Sequence, residues 1–245
     1  MYGMAYSGKW WYLELLTYLV SKEAGFVQSE SDQALFIKQE SDMSLTKILV
    51  YSDDCLYFNS KNNEGEIKEF EKQVGLRFDV EFKGLAHWFL SMRISRDQFR
   101  NYTIDQSRYA LNIVEKYLGA VPNKKHVNRP LPSGLEPSKK DCSKTTKEVI
   151  DLSTEYRIDY PAVIGSLIYL MNTRPDITFA VTKLAKFMKF PGRVHFTTVI
   201  HLLQYLRNNS HQGLKYYHNV EDYLIYDALK QVGVDPVHTL FGMHD

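Results

Sequence analysis

Asp53 and Asp54 are the residues of this sequence best suited to chemistry. They follow Ser52 and stand between two apolar runs, Ile48-Leu49-Val50-Tyr51 and Cys55-Leu56-Tyr57-Phe58. Like charges a few ångströms apart repel, and one carboxylate of such a pair is pushed toward protonation unless a cation relieves the cost. A divalent metal does so. In two-metal phosphoryl transfer, ions roughly 3.5–4 Å apart are held by several carboxylates; one activates the attacking hydroxyl and the other steadies the leaving phosphate. A Ser-Asp-Asp tip is also an ordinary polar turn, because Ser and Asp bond their own backbone, and the dipeptide alone fits that plainer reading better.

Other chemistry-bearing residues are sparse. The 8 His show no HExxH or similar spacing, so none is assigned to a metal. Cys55 and Cys142 lie far apart without a CxxC, which argues against a zinc module or a disulfide framework and for a reducing compartment. Trp10 and Trp11 sit at helical spacing, where an aromatic is more often core than a nucleotide wall. Arg174-Pro175-Asp176 reads as a helix start, with Asp176 near the positive end of the dipole.

The elements that position Asp53 and Asp54 follow from periodicity. From Lys9 to Lys22, Trp11, Leu15, Tyr18 and Leu19 share one helical face, and Gly25 marks a stop. Ala34 to Lys38 and Thr46 to Asn59 read as strands, the second folded at Ser52-Asp53-Asp54 into a hairpin with an acidic tip. Asn62 to Gly75 is an amphipathic helix with Ile67, Phe70 and Val74 inward. Phe78 to Phe82, His87 to Arg96 and Phe99 to Ile104 read as three short strands, and Ser107 to Leu118 as a helix. Pro122 to Lys147 holds four of the 8 prolines and seven Lys or Arg, with almost no large apolar side chain, and reads as a basic linker. Its lysines could meet phosphates, though a solvated loop is the simpler account. Beyond it, Pro161 to Asn172, Pro175 to Lys189 and Val194 to Asn208 carry helical spacing.

Composition bounds the rest. At 245 residues with 44% hydrophobic and 24% charged content, the chain can bury one or two cores. A formal charge of +1 supplies no bulk field to draw it onto nucleic acid or an anionic membrane, so nucleic-acid binding would need a local cleft. No run of about 18 apolar residues would span a bilayer, and Met1 is not followed by the basic stretch and apolar core of a signal peptide. The expected location is intracellular, with no membrane partner.

Six stretches, in order and in register, resemble the copia-type retrotransposon reverse transcriptases. Tyr2-Gly3-Met4, Ser7 and Trp11 stand where that family has L-Y-G-L-K-Q-S-P-R-x-W, and Val50-Tyr51-Ser52-Asp53-Asp54 is similar to its L-Y-V-D-D. Phe78, Gly84, His87, Trp88, Phe89 and Leu90 resemble the stretch that supplies its primer-gripping hairpin, and Gln106-Ser107-Arg108-Tyr109 its Q-S-K-Y. Tyr160 to Val181, through Gly165-Ser166-Leu167, Tyr169-Leu170 and Thr173-Arg174-Pro175-Asp176-Ile177, follows Y-x-x-x-x-G-S-L-x-Y-L-x-x-T-R-P-D-I-x-x-A-V. Phe187, Pro191, His195, Leu203, Tyr205 and Gly213 continue the likeness.

The resemblance implies an α+β fold: a partial palm over 1–104, with an antiparallel sheet and helices, then a helical thumb over 105–210 that includes the linker at 122–147. Residues 211–245 would be a connecting remnant and an unassigned tail. It implies RNA-directed DNA polymerase activity with template–primer and deoxynucleoside triphosphates, in the cytoplasm (within a virus-like particle) or the nucleus. Asp53 and Asp54 would be catalytic ligands of Mg2+. Tyr6, Tyr51, Ser52, Trp88, Phe89 and Leu90 would lie near the nucleotide or primer. The family carries its first catalytic Asp on a strand N-terminal to every residue matched here, and Tyr6, Ala5 and Lys9 replace its Gln, Lys and Arg. Inactivity of this chain alone is therefore expected. A non-catalytic nucleic-acid-binding module, or a transposon relic without selected activity, fits the same residues.

Overall fold

The apolar stripe near the start of the sequence forms α1 (Ser7–Leu19), with Leu15, Tyr18 and Leu19 buried and Trp11 packed against the same core. The computed structural model describes residues 7–39, 43–59, 64–119, 126–134 and 136–218. The chain divides into two compact units, residues 1–86 and 87–245. Together their described residues make an α+β fold of seven α-helices and two antiparallel sheets.

In the first unit, β1 (Val27–Gln28), β2 (Leu35–Gln39), β3 (Leu45–Tyr51) and β4 (Asp54–Asn59) form one sheet in sequence order, all antiparallel. Alternation along β3 turns Thr46, Ile48 and Val50 to the core, each near-fully buried. Helix α2 (Glu64–Gly75) closes that face. Phe70 stacks on Tyr57 at 4.9 Å and meets Phe26 edge-on at 6.1 Å, while Val74 is buried. At about 1.5–3 kcal/mol per buried large apolar side chain, this cluster holds the hairpin to the helices.

The second unit opens with β5 (Trp88–Phe89), β6 (Met92–Arg96) and β7 (Tyr102–Asp105), joined at the far edge by β8 (Leu214–Tyr216). Its core lies among α3 (Ser107–Leu118), α5 (Tyr160–Leu170), α6 (Thr178–Ala185) and α7 (Arg193–Asn208), where Val163, Ile164, Leu167, Val181, Val199 and Leu203 are fully buried. Asp159 starts α5 by accepting the Ala162 amide, with Pro161 in the first turn, where a missing N–H costs nothing. No helix among the described residues is long and apolar enough to cross a membrane.

Several elements differ from the sequence-based expectation. Phe78 to Phe82 is not a strand: Phe78 folds back against the Tyr18 ring at 5.7 Å, and no neighbouring strand pairs with the residues after it. His87 to Arg96 is not one strand, because Leu90 and Ser91 turn the chain between β5 and β6. Phe99 belongs to a turn in which the Asp97 carboxylate accepts the Phe99 and Asn101 amides, so β7 starts only at Tyr102. The helix expected over 175–189 is shorter. It begins as a 3-10 turn (Pro175–Ile177) and ends at Ala185. Helix α4 (Thr146–Tyr156), β1 and β8 were not foreseen.

The described part of the basic stretch carries more packing than its composition suggests. Val127 is buried, its carbonyl accepts from the Asn208 side chain at 3.3 Å, and the Arg129 carbonyl meets His201 Nε2 at 3.0 Å. Further on, the Ser143 hydroxyl donates to the Pro191 carbonyl at 2.8 Å. Backbone carbonyls and small polar side chains make these contacts, and hydrophobic periodicity does not register them.

Candidate active site

The β3–β4 register pairs Tyr51 with Asp54 and Val50 with Cys55, leaving Ser52 and Asp53 alone in the turn. Ser52 has φ 51°. A positive φ confined to the first turn residue is the II′ pattern, whose twist matches the flanking strands and lets a two-residue loop close the hairpin. Tyr51, Ser52, Asp53 and Asp54 are all exposed. Neither carboxylate has a hydrogen-bonded or ion-paired side-chain partner among the described residues.

Two adjacent exposed carboxylates offer hard oxygen donors suited to Mg2+, which keeps several of its waters and takes one or two carboxylates together with substrate phosphates. The donor set fits that ion in part. Among the described residues no group of three or more His, Cys, Asp or Glu could hold a metal by itself, so a third carboxylate does not stand beside the pair.

Helix α1 supplies the other wall. Gly8 and Tyr12 line a pocket of about 350 Å³ with Val50, Tyr51, Ser52 and Asp53. The Tyr12 phenol donates to the Gln33 carbonyl at 3.0 Å and accepts from Gln28 Nε2 at 3.0 Å, which fixes the ring at the pocket edge. Periodicity marks the apolar stripe of α1 but not which polar residue will face the hairpin, so Tyr12 was missed. Tyr6 lies outside the described residues.

The remaining expected site residues fall in the second unit. Trp88 and Phe89 form β5, with Trp88 53% exposed, and Leu90 begins the turn to β6. On β6, Arg93 pairs through Nε with Asp105 at 2.9 Å. Asp105, buried before α3, also accepts the Ser107 amide at 3.0 Å and its hydroxyl.

Arg174 is only 1% exposed and is committed within the fold. Its guanidinium forks onto Asp176 at 2.9 and 2.8 Å and donates to the Asn209 carbonyl at 2.8 Å, while the Tyr205 hydroxyl donates to the same Asp176 at 2.7 Å. This network ties the chain before α6 to the end of α7. The sequence read this stretch as a helix start; Pro175 and Asp176 stand in the 3-10 turn before α6, and the ion pair and its tie to α7 were not read.

Two buried groups, Asp105 and His195, and the partly exposed Asp176 make stability depend on pH. Burial raises the Asp105 pKa, but the hydrogen bonds from Ser107 and Arg93 outweigh it and hold the carboxyl below the ordinary 3.8; Asp176 is lowered likewise, its burial outweighed by Arg174 and Tyr205. Burial, first of all, depresses His195 below 6.5, against the opposing pull of Asp141. A folded pKa below the unfolded one stabilises above the unfolded value and loses that contribution as pH falls through the folded value. The denaturation midpoint of the second unit is therefore expected to slip below pH 6.5 and to fall more steeply below 3.8. A midpoint constant from pH 7 to 3 would contradict these assignments.

The first unit thus presents an exposed Asp-Asp hairpin on an antiparallel sheet that packs against α1 and α2. The family described as reverse transcriptase (RNA-dependent DNA polymerase) matches residues 1–130, and the chain belongs to that family. It is 29% identical over 212 residues to the retrovirus-related Pol polyprotein from transposon TNT 1-94 of Nicotiana tabacum, covering 86% of this chain and 15% of that one. It is 31% identical over 214 residues to the retrovirus-related Pol polyprotein from transposon RE1 of Arabidopsis thaliana, covering 87% and 13%. An uncharacterised mitochondrial protein of Arabidopsis thaliana is 28% identical over 172 residues, 70% of this chain and 65% of that one. The chain thus spans less than a sixth of the two polyproteins. No solved structure matches it.

Proposed function

We propose that this chain is a catalytic-hairpin and thumb portion of a copia-type Pol polyprotein, whose activity is RNA-directed DNA synthesis. The reaction transfers a deoxynucleotide to a primer 3′-hydroxyl, with Mg2+ held in part by Asp53 and Asp54. The observation that carries the reading is the pair of exposed carboxylates on the tight β3–β4 turn, where two like charges are kept side by side with no cationic side chain paired to them among the described residues. Two-metal catalysis rests on positioning and charge neutralisation by several carboxylates. With two, the chain alone binds template–primer without extending it.

In this reading residues 1–104 belong to the palm and 105–210 to the thumb. Tyr51 and Ser52 shape the turn beside the primer end, Trp88, Phe89 and Leu90 grip the primer strand, and the helices within 161–189 follow the minor groove of the duplex. The Gly8–Tyr12 pocket wall lies toward the incoming nucleotide.

The test is fluorescence anisotropy with a labelled RNA–DNA template–primer. The unmodified chain is expected to bind, with an affinity that falls as salt rises, because each neutralised phosphate releases counterions. Trp88→Ala is expected to weaken binding roughly tenfold, the worth of one aromatic on a nucleic acid. Equal affinity of the two proteins would remove the hairpin from the interface.

A further inference from the structure

Leu90 and Ser91 form the two-residue turn between β5 and β6 with φ of 49° and 59°. Both central residues are left-handed, as in a type I′ turn, yet neither is the Gly, Asn or Asp that tolerates this conformation. A strained turn of this kind persists only where its surroundings over-determine it. β5 is two residues long and sits at the sheet edge, paired with β6 alone, so the ladder gives it little support.

The missing support comes from the helical part of the same unit. The Tyr169 phenol of α5 donates to the Leu90 carbonyl at 2.5 Å. The Tyr169 ring is held in turn by Tyr109 of α3, edge-on at 5.3 Å and 86°. α3 and α5 are joined a second time where the Thr173 hydroxyl donates to Gln106 Oε1 at 2.8 Å, and Gln106 is buried at the start of α3. At the other end of the hairpin, Arg93 is fixed to Asp105, whose carboxylate also receives Ser107 of α3. The hairpin is therefore gripped at its turn and at β6 by one rigid pair of helices.

We propose that Tyr169 is a positioning residue: its hydroxyl latches the Leu90-Ser91 turn and so sets how Trp88 and Phe89 are presented to the primer strand. This rests on the reading that the hairpin meets nucleic acid. Tyr169 itself touches no reacting group. Its ring packs on Tyr109, whereas the hydroxyl donates to the turn carbonyl, so removing the oxygen takes away the latch and keeps the ring packing. Through Tyr109 and Thr173 the latch also makes the hairpin respond to shifts of α3 against α5.

The experiment uses the full chain with Tyr169→Phe, which keeps the ring. Hydrogen exchange is expected to speed about fivefold in residues 87–94, the value of one lost hydrogen bond, with Val199 to Leu203 in α7 unchanged. Template–primer affinity should fall by a similar factor. Exchange unchanged in residues 87–94 overturns the latch, and so does exchange that speeds equally in α7, which would mean a purely structural role. Localised exchange with wild-type affinity, while Trp88→Ala binds weakly, overturns positioning. Localised exchange with both variants binding like the unmodified chain overturns instead the reading of the hairpin as a nucleic-acid contact, and with it the proposal's functional half.

Discussion

Replacing Arg174 by alanine is expected to destabilise the second unit by about 3–5 kcal/mol, the cost of breaking a buried pair by removing one partner. The guanidinium is 1% exposed, whereas the Asp176 side chain is 29% exposed, so water partly hydrates the carboxylate left behind and the loss falls at the lower end of that range. The Asn209 carbonyl at the end of α7 loses a donor as well, and the Tyr205 hydroxyl must then face Asp176 without its cation. Lysine cannot repair this, because a single ammonium does not reproduce the fork onto both carboxylate oxygens. Denaturant unfolding monitored by circular dichroism measures the loss. A change under about 1 kcal/mol, the scale of an exposed ion pair, would mean that Arg174 is solvated and free for nucleic acid after all.

A second large effect is expected at Gly192, just before α7. A Cβ there would stand 1.8 Å from the Asp141 carbonyl oxygen and 3.2 Å from the Ser143 amide nitrogen. Both neighbours are backbone, held by the Ser143 hydroxyl on Pro191 and the Ser143 amide on Phe190, so neither can swing aside as a side-chain end would. Gly192→Ala is expected to cost about 3 kcal/mol, the upper range of overpacking. Gly165 in α5 is the control: nothing lies within 4 Å of its added Cβ, and alanine there should be neutral or stabilise by about 0.5–1 kcal/mol. Equal midpoints for the two variants would show that residues 141–143 do not rest on Gly192.

Legibility in the sequence followed the strength of local signals. The hairpin around Asp53 and Asp54 was readable because short continuous apolar runs flank the turn-forming Ser52-Asp53-Asp54, and α1, α2, α3 and α7 were readable from periodic stripes. The β5–β6 turn was invisible to periodicity, since Leu90-Ser91 carries none of the Gly, Asn or Asp that mark a left-handed two-residue turn; only the likeness to a family hairpin pointed to it. Tyr12 and Asp105 became visible only in the fold, as did the contacts of Gln106 and Tyr169, which the sequence had shown only as matched positions. Each acts through a partner distant in sequence: Gln33, Arg93, Thr173 and Leu90. Gly192 and Gly213 belong to the same class. A Cβ on Gly213 would meet the Asp105 side chain and the Ile104 carbonyl at 2.6 Å, a close approach that no local pattern encodes.

RNA-templated primer extension with Mg2+ tests the central claim most directly. The chain of residues 1–245 is compared with the same chain joined to the segment that precedes this region in the tobacco polyprotein, each with and without Asp53→Asn. Residues 1–245 should yield no product. The joined chain should extend the primer, and Asp53→Asn should abolish that extension while leaving the fold intact by circular dichroism. Template-dependent extension by residues 1–245 alone, lost in Asp53→Asn, would contradict the requirement for a further carboxylate. Extension by the joined chain that survives Asp53→Asn would contradict the assignment of the β3–β4 hairpin as the catalytic one.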